Sequence, residues 1–129
     1  MKRTFQSLGH ALRGLSHAVK EERNLRMFLL GHAALLLLGI IVRVDLPSLL
    51  IATFIAGLFV VTELFNTAIE RLADTIDDCE KKRNGGHYHL GIKQTKDVAS
   101  AAALIMLLLY AGCILLIALP YILYLLLPR

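Results

Sequence analysis

The 129-residue chain is 57% hydrophobic, lacks Trp and has a mean hydropathy of +0.64, which is too apolar for a soluble domain of this size. Its formal net charge of +4 comes from 14 basic and 10 acidic residues; the basic ones gather in two stretches that suit membrane topology and an anionic leaflet, with no nucleic-acid partner. A soluble helical bundle is set aside because its helices would each show a polar face, which the apolar segments here mostly lack.

Near the N-terminus, Phe5, Leu8, Leu12, Leu15 and Val19 recur at three- and four-residue steps, with Lys2, Arg3, Gln6, Arg13 and Lys20 on other faces. This spacing predicts an amphipathic surface helix over about 4–22, lying in the membrane interface. His10 and His17, seven residues apart on that helix, read as interfacial. Three apolar segments follow, over about 25–42, 46–70 and 98–119, each long enough at about 1.5 Å per residue to cross the hydrocarbon core with modest tilt. No small-residue cleavage site stands out after the first of them, so it reads as a retained span. His32 inside that span is expected to hydrogen-bond to another helix.

The first connection, Arg43-Val44-Asp45-Leu46-Pro47-Ser48, is short, and its Pro suits a helix start, so the first two spans form an antiparallel hairpin. The longest polar stretch, about 77–94, holds Asn84-Gly85-Gly86 as a turn. Pro120 is expected to end or kink the last helix. Six basic residues precede the first span (Lys2, Arg3, Arg13, Lys20, Arg23, Arg26), and six separate the second from the third (Arg71, Lys81, Lys82, Arg83, Lys93, Lys96). Only Arg43 and Arg129 lie on the other side, which places the N-terminus and residues 71–97 in the cytoplasm and the C-terminus outside. Cys79 and Cys113 fall in the polar stretch and inside the third span, where no disulfide within one subunit joins them. No internal repeat or second domain is visible.

The second span runs without a helix breaker into Glu63, Asn66, Glu70 and Asp74, whose spacings of three, four and four residues stack them on one helical face. A charged side chain in hydrocarbon costs about 2.5–3.5 kcal/mol on insertion scales, so this stripe needs a compensating partner, such as a divalent metal with phosphate. Glu63 and Glu70 are about 10.5 Å apart along the helix and cannot chelate one ion by themselves. Glu21 or Glu22, at the junction before the first span, offers a further carboxylate at the same level, and magnesium takes a couple of carboxylates plus phosphate oxygens and water. Asp77 and Asp78 are expected in a solvated helix end, paired with basic neighbours such as Arg71 and Lys82. Lys96-Asp97, just before the third span, pairs a phosphate-neutralising amine with a carboxylate able to hold a sugar or amine. His87-Tyr88-His89 brings two imidazoles and a phenol, without the further ligands a zinc site needs. The chain has no GxxxxGK[ST] cradle and no nucleophile elbow, so a phosphate site here must be built from helix ends, carboxylate-bound metal and basic side chains.

The segment 63–74, Glu-Leu-Phe-Asn-Thr-Ala-Ile-Glu-Arg-Leu-Ala-Asp, together with Lys-Asp-Val-Ala-Ser-Ala-Ala at 96–102 and Glu-Arg-Asn-Leu-Arg at 22–26, resembles the prokaryotic diacylglycerol kinase and undecaprenol kinase family. The resemblance covers nearly the whole chain as one lipid-kinase domain, 1–129, and implies an all-α integral membrane protein of the bacterial inner membrane. It further implies a surface helix, three membrane helices and a homotrimer with active sites shared between subunits. It implies Glu63 as general base with Asn66 beside it, Glu22 and Glu70 as magnesium carboxylates, and Glu63 and Ser100 toward the lipid. ATP contacts fall on Arg3, His10, Glu22, Glu70, Asp74, His87, Tyr88, His89, Lys96 and Asp97. One departure is the segment 76–86, several residues longer than usual in this family. The activity implied is ATP- and Mg2+-dependent phosphorylation of a membrane lipid alcohol. Undecaprenol is slightly preferred, on the 22–26 segment, over diacylglycerol. Outside catalysis, the alternatives are an inactive scaffold or a pore lined by the acidic stripe.

Overall fold

The computed structural model describes residues 2–84 and 90–127, which form four helices. These are α1 (Lys2–Glu21), α2 (Arg23–Ile41), α3 (Leu46–Asn84) and α4 (Leu90–Leu126). The last three are long and apolar enough to cross a membrane.

Glu22 makes the corner between α1 and α2 by adopting an extended backbone, φ −87° and ψ 107°. Carbonyls at the end of α1 lose their helical donors there, and Arg26 supplies replacements, its guanidinium donating to Val19 O at 3.1 Å and to Lys20 O. Leu25, fully buried, and Ala18 fill the inside of the bend. Phe5, Leu8, Leu12 and Leu15 of α1 remain exposed on the single chain.

The α2–α3 hairpin has the short turn expected. Arg43 takes a left-handed conformation, φ 59°, and Asp45 caps α3 by accepting from Ser48 N at 3.0 Å and Ser48 Oγ at 2.9 Å. Gly39 lets the two helices close up, since a Cβ there would sit 2.8 Å from Leu49 Cδ2. Beyond it α3 packs along α4, with buried Ala52, Ala56, Ala73, Ala99 and Ala103 permitting close approach.

Two expectations change. Of the two outcomes expected at Pro120, an end or a kink, the end does not occur: α4 runs on through it to Leu126 for 37 residues, about 55 Å. One proline removes a single backbone hydrogen bond, and the apolar residues on both sides favour helix in the absence of water. The stretch 77–94 is also far less of a loop than its polarity suggests: α3 continues to Asn84 and α4 begins at Leu90. Lys81, Lys82 and Arg83 in the last turn of α3 complement its dipole, and Ile69, Ala73 and Ile76 face Gly91, Ile92 and Thr95 across a small cavity.

Helix α2 stands apart from α4. Among the described residues none of their Cα atoms approach within 8 Å. Side chains bridge this slot: His32 Nδ1 and the Tyr110 hydroxyl are hydrogen-bonded at 2.9 Å, fulfilling the helix-to-helix bond expected of His32. Cys79 and Cys113 are both free thiols.

Candidate active site

The slot between α2 and α4, backed by α3, opens into a groove of about 480 Å³. One end is polar, with Glu22 and Asn24 from the α1–α2 corner, Glu63, Asn66 and Glu70 from α3, and Ser100 from α4. The other end is apolar, closed by Phe28, Phe59 and Leu107. The helical stripe on α3 therefore delivers three of its four polar side chains to one concavity.

Glu70 is the hydrogen-bonding hub. Its Oε1 accepts from Asn66 Nδ2 at 3.1 Å, one turn back, and from Ser100 Oγ at 3.1 Å across the α3–α4 contact. Ser100 Oγ also lies 3.5 Å from Asn66 Oδ1, so the three side chains fix one another. Glu22 Oε1 lies 3.4 Å from Arg71 Nη2, which ties the α1–α2 corner to α3. Glu63 differs from both: it is only 8% exposed, and no hydrogen bond reaches it among the described residues. The charges acting on it are Glu70 and Glu22. A buried, unpaired carboxylate is costly, and one that faces a groove is available to a ligand's proton.

Just outside the groove, Lys96 Nζ pairs with Asp74 Oδ1 at 2.8 Å, joining the stripe's fourth member to the residue that opens the second motif. Asp97 is exposed on α4. His10 is exposed on α1, with Nδ1 2.9 Å from Arg13 Nη2 of the same helix. His87, Tyr88, His89 and the Arg3 side chain lie outside the described residues. Of the two glutamates offered at the corner, Glu22 lines the groove while Glu21 is exposed.

Asp77 corrects the expectation of a solvated helix end. It is 7% exposed and bonds Lys81 at 2.5 Å within α3, whereas Asp78 is exposed. The helix continues past it, so its face stays against the rest of the fold instead of opening to water. Sequence reasoning also missed Asn24 as a groove residue and Arg71 as the partner of Glu22. The signal for Asn24 was its place two residues after Glu22; nothing in the spacing pointed Arg71 toward a residue 49 positions away.

These features define a helical membrane protein with a carboxylate-rich groove at the polar end of its spans. Residues 9–118 match the family described as prokaryotic diacylglycerol kinase, and the chain belongs to that family. It is 31% identical over 120 residues, 93% of this chain and 91% of the relative, to undecaprenol kinase of Bacillus subtilis (strain 168). The protein is accordingly a phosphotransferase with an alcohol acceptor, a lipid kinase of the diacylglycerol kinase and undecaprenol kinase type.

Proposed function

We propose that the groove transfers the γ-phosphoryl group of ATP to the hydroxyl of a membrane lipid alcohol, undecaprenol ahead of diacylglycerol. The observation that carries this reading is Glu63: a buried carboxylate without a partner, set between a polar end rich in oxygen donors and an apolar end of aromatic side chains. The acceptor hydroxyl lies against Glu63, which takes its proton as the oxygen attacks the γ-phosphorus and ADP leaves. Asn66 and Ser100 hold Glu70 in place for the nucleotide end. Lys96, Asp74 and Asp97 serve the phosphates and nucleoside, together with His10, Arg3 and the 87–89 segment. The name of the Bacillus relative and the Glu-Arg-Asn-Leu-Arg segment at 22–26 both favour undecaprenol.

Among the described residues no three His, Cys, Asp or Glu side chains cluster tightly enough to hold a metal unaided. The donors present are all oxygen, and Glu22 and Glu70 suit magnesium that keeps water and phosphate ligands. Bound there with the nucleotide, magnesium would neutralise phosphate charge.

A homotrimer with its N-terminus and residues 71–97 in the cytoplasm, and α1 in the interface, completes the reading. Support for self-association comes from α3, where Ile51, Phe54, Leu58, Val61, Phe65, Ala68 and Leu72 alternate three- and four-residue steps and are all exposed. That seam lies on the face opposite Glu63 and Glu70. A bundle formed along it turns the acids away from the axis, which disfavours the pore.

The test is transfer of labelled phosphate from ATP to undecaprenol and to diacylglycerol in mixed micelles. Glu63→Gln should lower the rate about 10²- to 10⁴-fold while the protein still assembles. A folded Glu63→Gln with full activity removes the general base, and no labelled lipid with either acceptor favours a scaffold or another lipid alcohol.

A further inference from the structure

The apolar end of the groove is closed by a cluster of four rings. Phe28 lies 4.1 Å from Phe59 and 4.9 Å from Tyr110 between ring centroids, while His32 stacks on Phe28 at 6.3 Å and meets Tyr110 edge-on at 5.6 Å. Phe28 and Phe59 are walls of the catalytic groove, and His32 is a wall of a second cavity of about 320 Å³ on the far side. That cavity is lined almost wholly by aliphatic side chains of α2, α3 and α4, including Leu36, Leu49 and Ile117, and reaches Tyr121. The two spaces belong to one slot between α2 and α4, interrupted only where the rings cross it.

Direction decides what this second space is for. Along α3, Glu70, Glu63, Phe59 and Ala52 follow one another away from the basic end, and Ala52, a cavity wall, lies about 16 Å beyond Glu63. A membrane lipid presenting its hydroxyl to Glu63 must send its hydrocarbon toward the bilayer midplane, the direction in which the rings and cavity lie. The rings are joined across the slot by the bond between Nδ1 of His32 and the Tyr110 hydroxyl, while Nε2 of His32 is buried without a hydrogen-bond partner, so parting the rings breaks that polar contact and otherwise exchanges apolar contacts with the rings for apolar contacts with a hydrocarbon chain.

Resting on the lipid-kinase reading of the groove, we infer that the 320 Å³ cavity takes the stretch of the acceptor alcohol's hydrocarbon chain next beyond the hydroxyl end, and that Phe28, His32, Phe59 and Tyr110 form the gate it passes. The gate residues are specificity determinants: they distinguish acceptors by the chain beyond the hydroxyl, whereas Glu63 treats all alcohols alike. A short alcohol that ends above the rings never meets the cavity.

The experiment compares undecaprenol with geraniol, whose chain is short, in wild type and in Ala118→Phe, which fills the cavity from α4. The KM for undecaprenol relative to that for geraniol should rise about tenfold. A ratio that stays fixed, with both values moving together or neither moving, overturns the inference and sends the chain out sideways between α2 and α4. A second measurement reads occupancy without turnover. Because the chain has no Trp, Tyr121→Trp places the chain's one Trp, excited apart from the tyrosines, in the cavity wall. A long-chain alcohol labelled with a nitroxide at its tail should quench it, undecaprenol should reverse the quenching, and geraniol should not. Quenching that undecaprenol does not reverse overturns the inference. Wild type that phosphorylates neither alcohol overturns undecaprenol as the acceptor instead, leaving diacylglycerol, and the quenching arm still decides whether the cavity takes a chain.

Discussion

At the scale of single residues, the groove separates two kinds of carboxylate. Glu70 is held by Asn66 and Ser100, and Glu22 faces Arg71, while Glu63 is left alone in a buried position. Fixed carboxylates suit a nucleotide with its cation; a free one suits proton transfer. Asn66→Ala removes the hydrogen bond on Glu70 that comes from its own helix and should lower kcat/KM about 10- to 100-fold, with a higher magnesium requirement. Ser100→Ala should cost less, because the Asn66 amide still reaches the same oxygen, and titration of initial rate with magnesium compares the two. The sequence made Glu63, Asn66 and Glu70 legible because a helix face depends only on spacing, and it placed Glu22 at the same depth. Asn24 and Arg71 were illegible for the converse reason: their roles depend on how the α1–α2 corner folds back onto α3, a tertiary choice that no local periodicity encodes.

At the scale of elements, apolar length and turn chemistry were read correctly for the α2–α3 hairpin. The α3–α4 connection was misread because polarity was taken for irregularity. Charged residues in the last turns of α3 form good helix surface, and apolar Ile69, Ala73 and Ile76 set against Gly91, Ile92 and Thr95 hold this end of α3 beside α4. The same hairpin offers a pH test. Asp45 accepts from the backbone and side chain of Ser48, and these bonds hold its carboxyl below the ordinary carboxylate range. A carboxyl whose pKa is depressed on folding stabilises the fold above its unfolded pKa, and that contribution is lost as pH falls through the folded value. Asp45→Ala should therefore lower the thermal midpoint in detergent at neutral pH, and the gap from wild type should close as the pH is taken below the folded pKa of Asp45. A gap that is constant across the titration would mean that packing in the turn, and not the cap, sets the difference.

At the scale of the whole molecule, one chain brings Glu22, Glu63, Asn66, Glu70 and Ser100 to one groove, while the exposed α3 seam on the opposite face invites other copies. The family resemblance implies sites shared between subunits, so the question is which parts a neighbour supplies. The hydrogen bonds and packing argue that the carboxylate core comes from a single subunit: Glu63 and Glu70 ride on one rigid helix, and Ser100 reaches Glu70 from α4 of the same chain. On that argument a neighbour's contribution is to the nucleotide or lipid side of the groove and not to the Glu63–Glu70 pair. Co-assembly of Glu63→Gln subunits with Glu70→Gln subunits tests this directly. Every site built on one α3 carries one defect or the other, so mixed oligomers should show no more activity than the separate variants. Recovery of activity on mixing, measured as phosphate transfer to the lipid alcohol after joint reconstitution, would mean that Glu63 and Glu70 of one working site come from different chains. It would make the groove seen within one chain a half-site whose second carboxylate arrives across the subunit boundary.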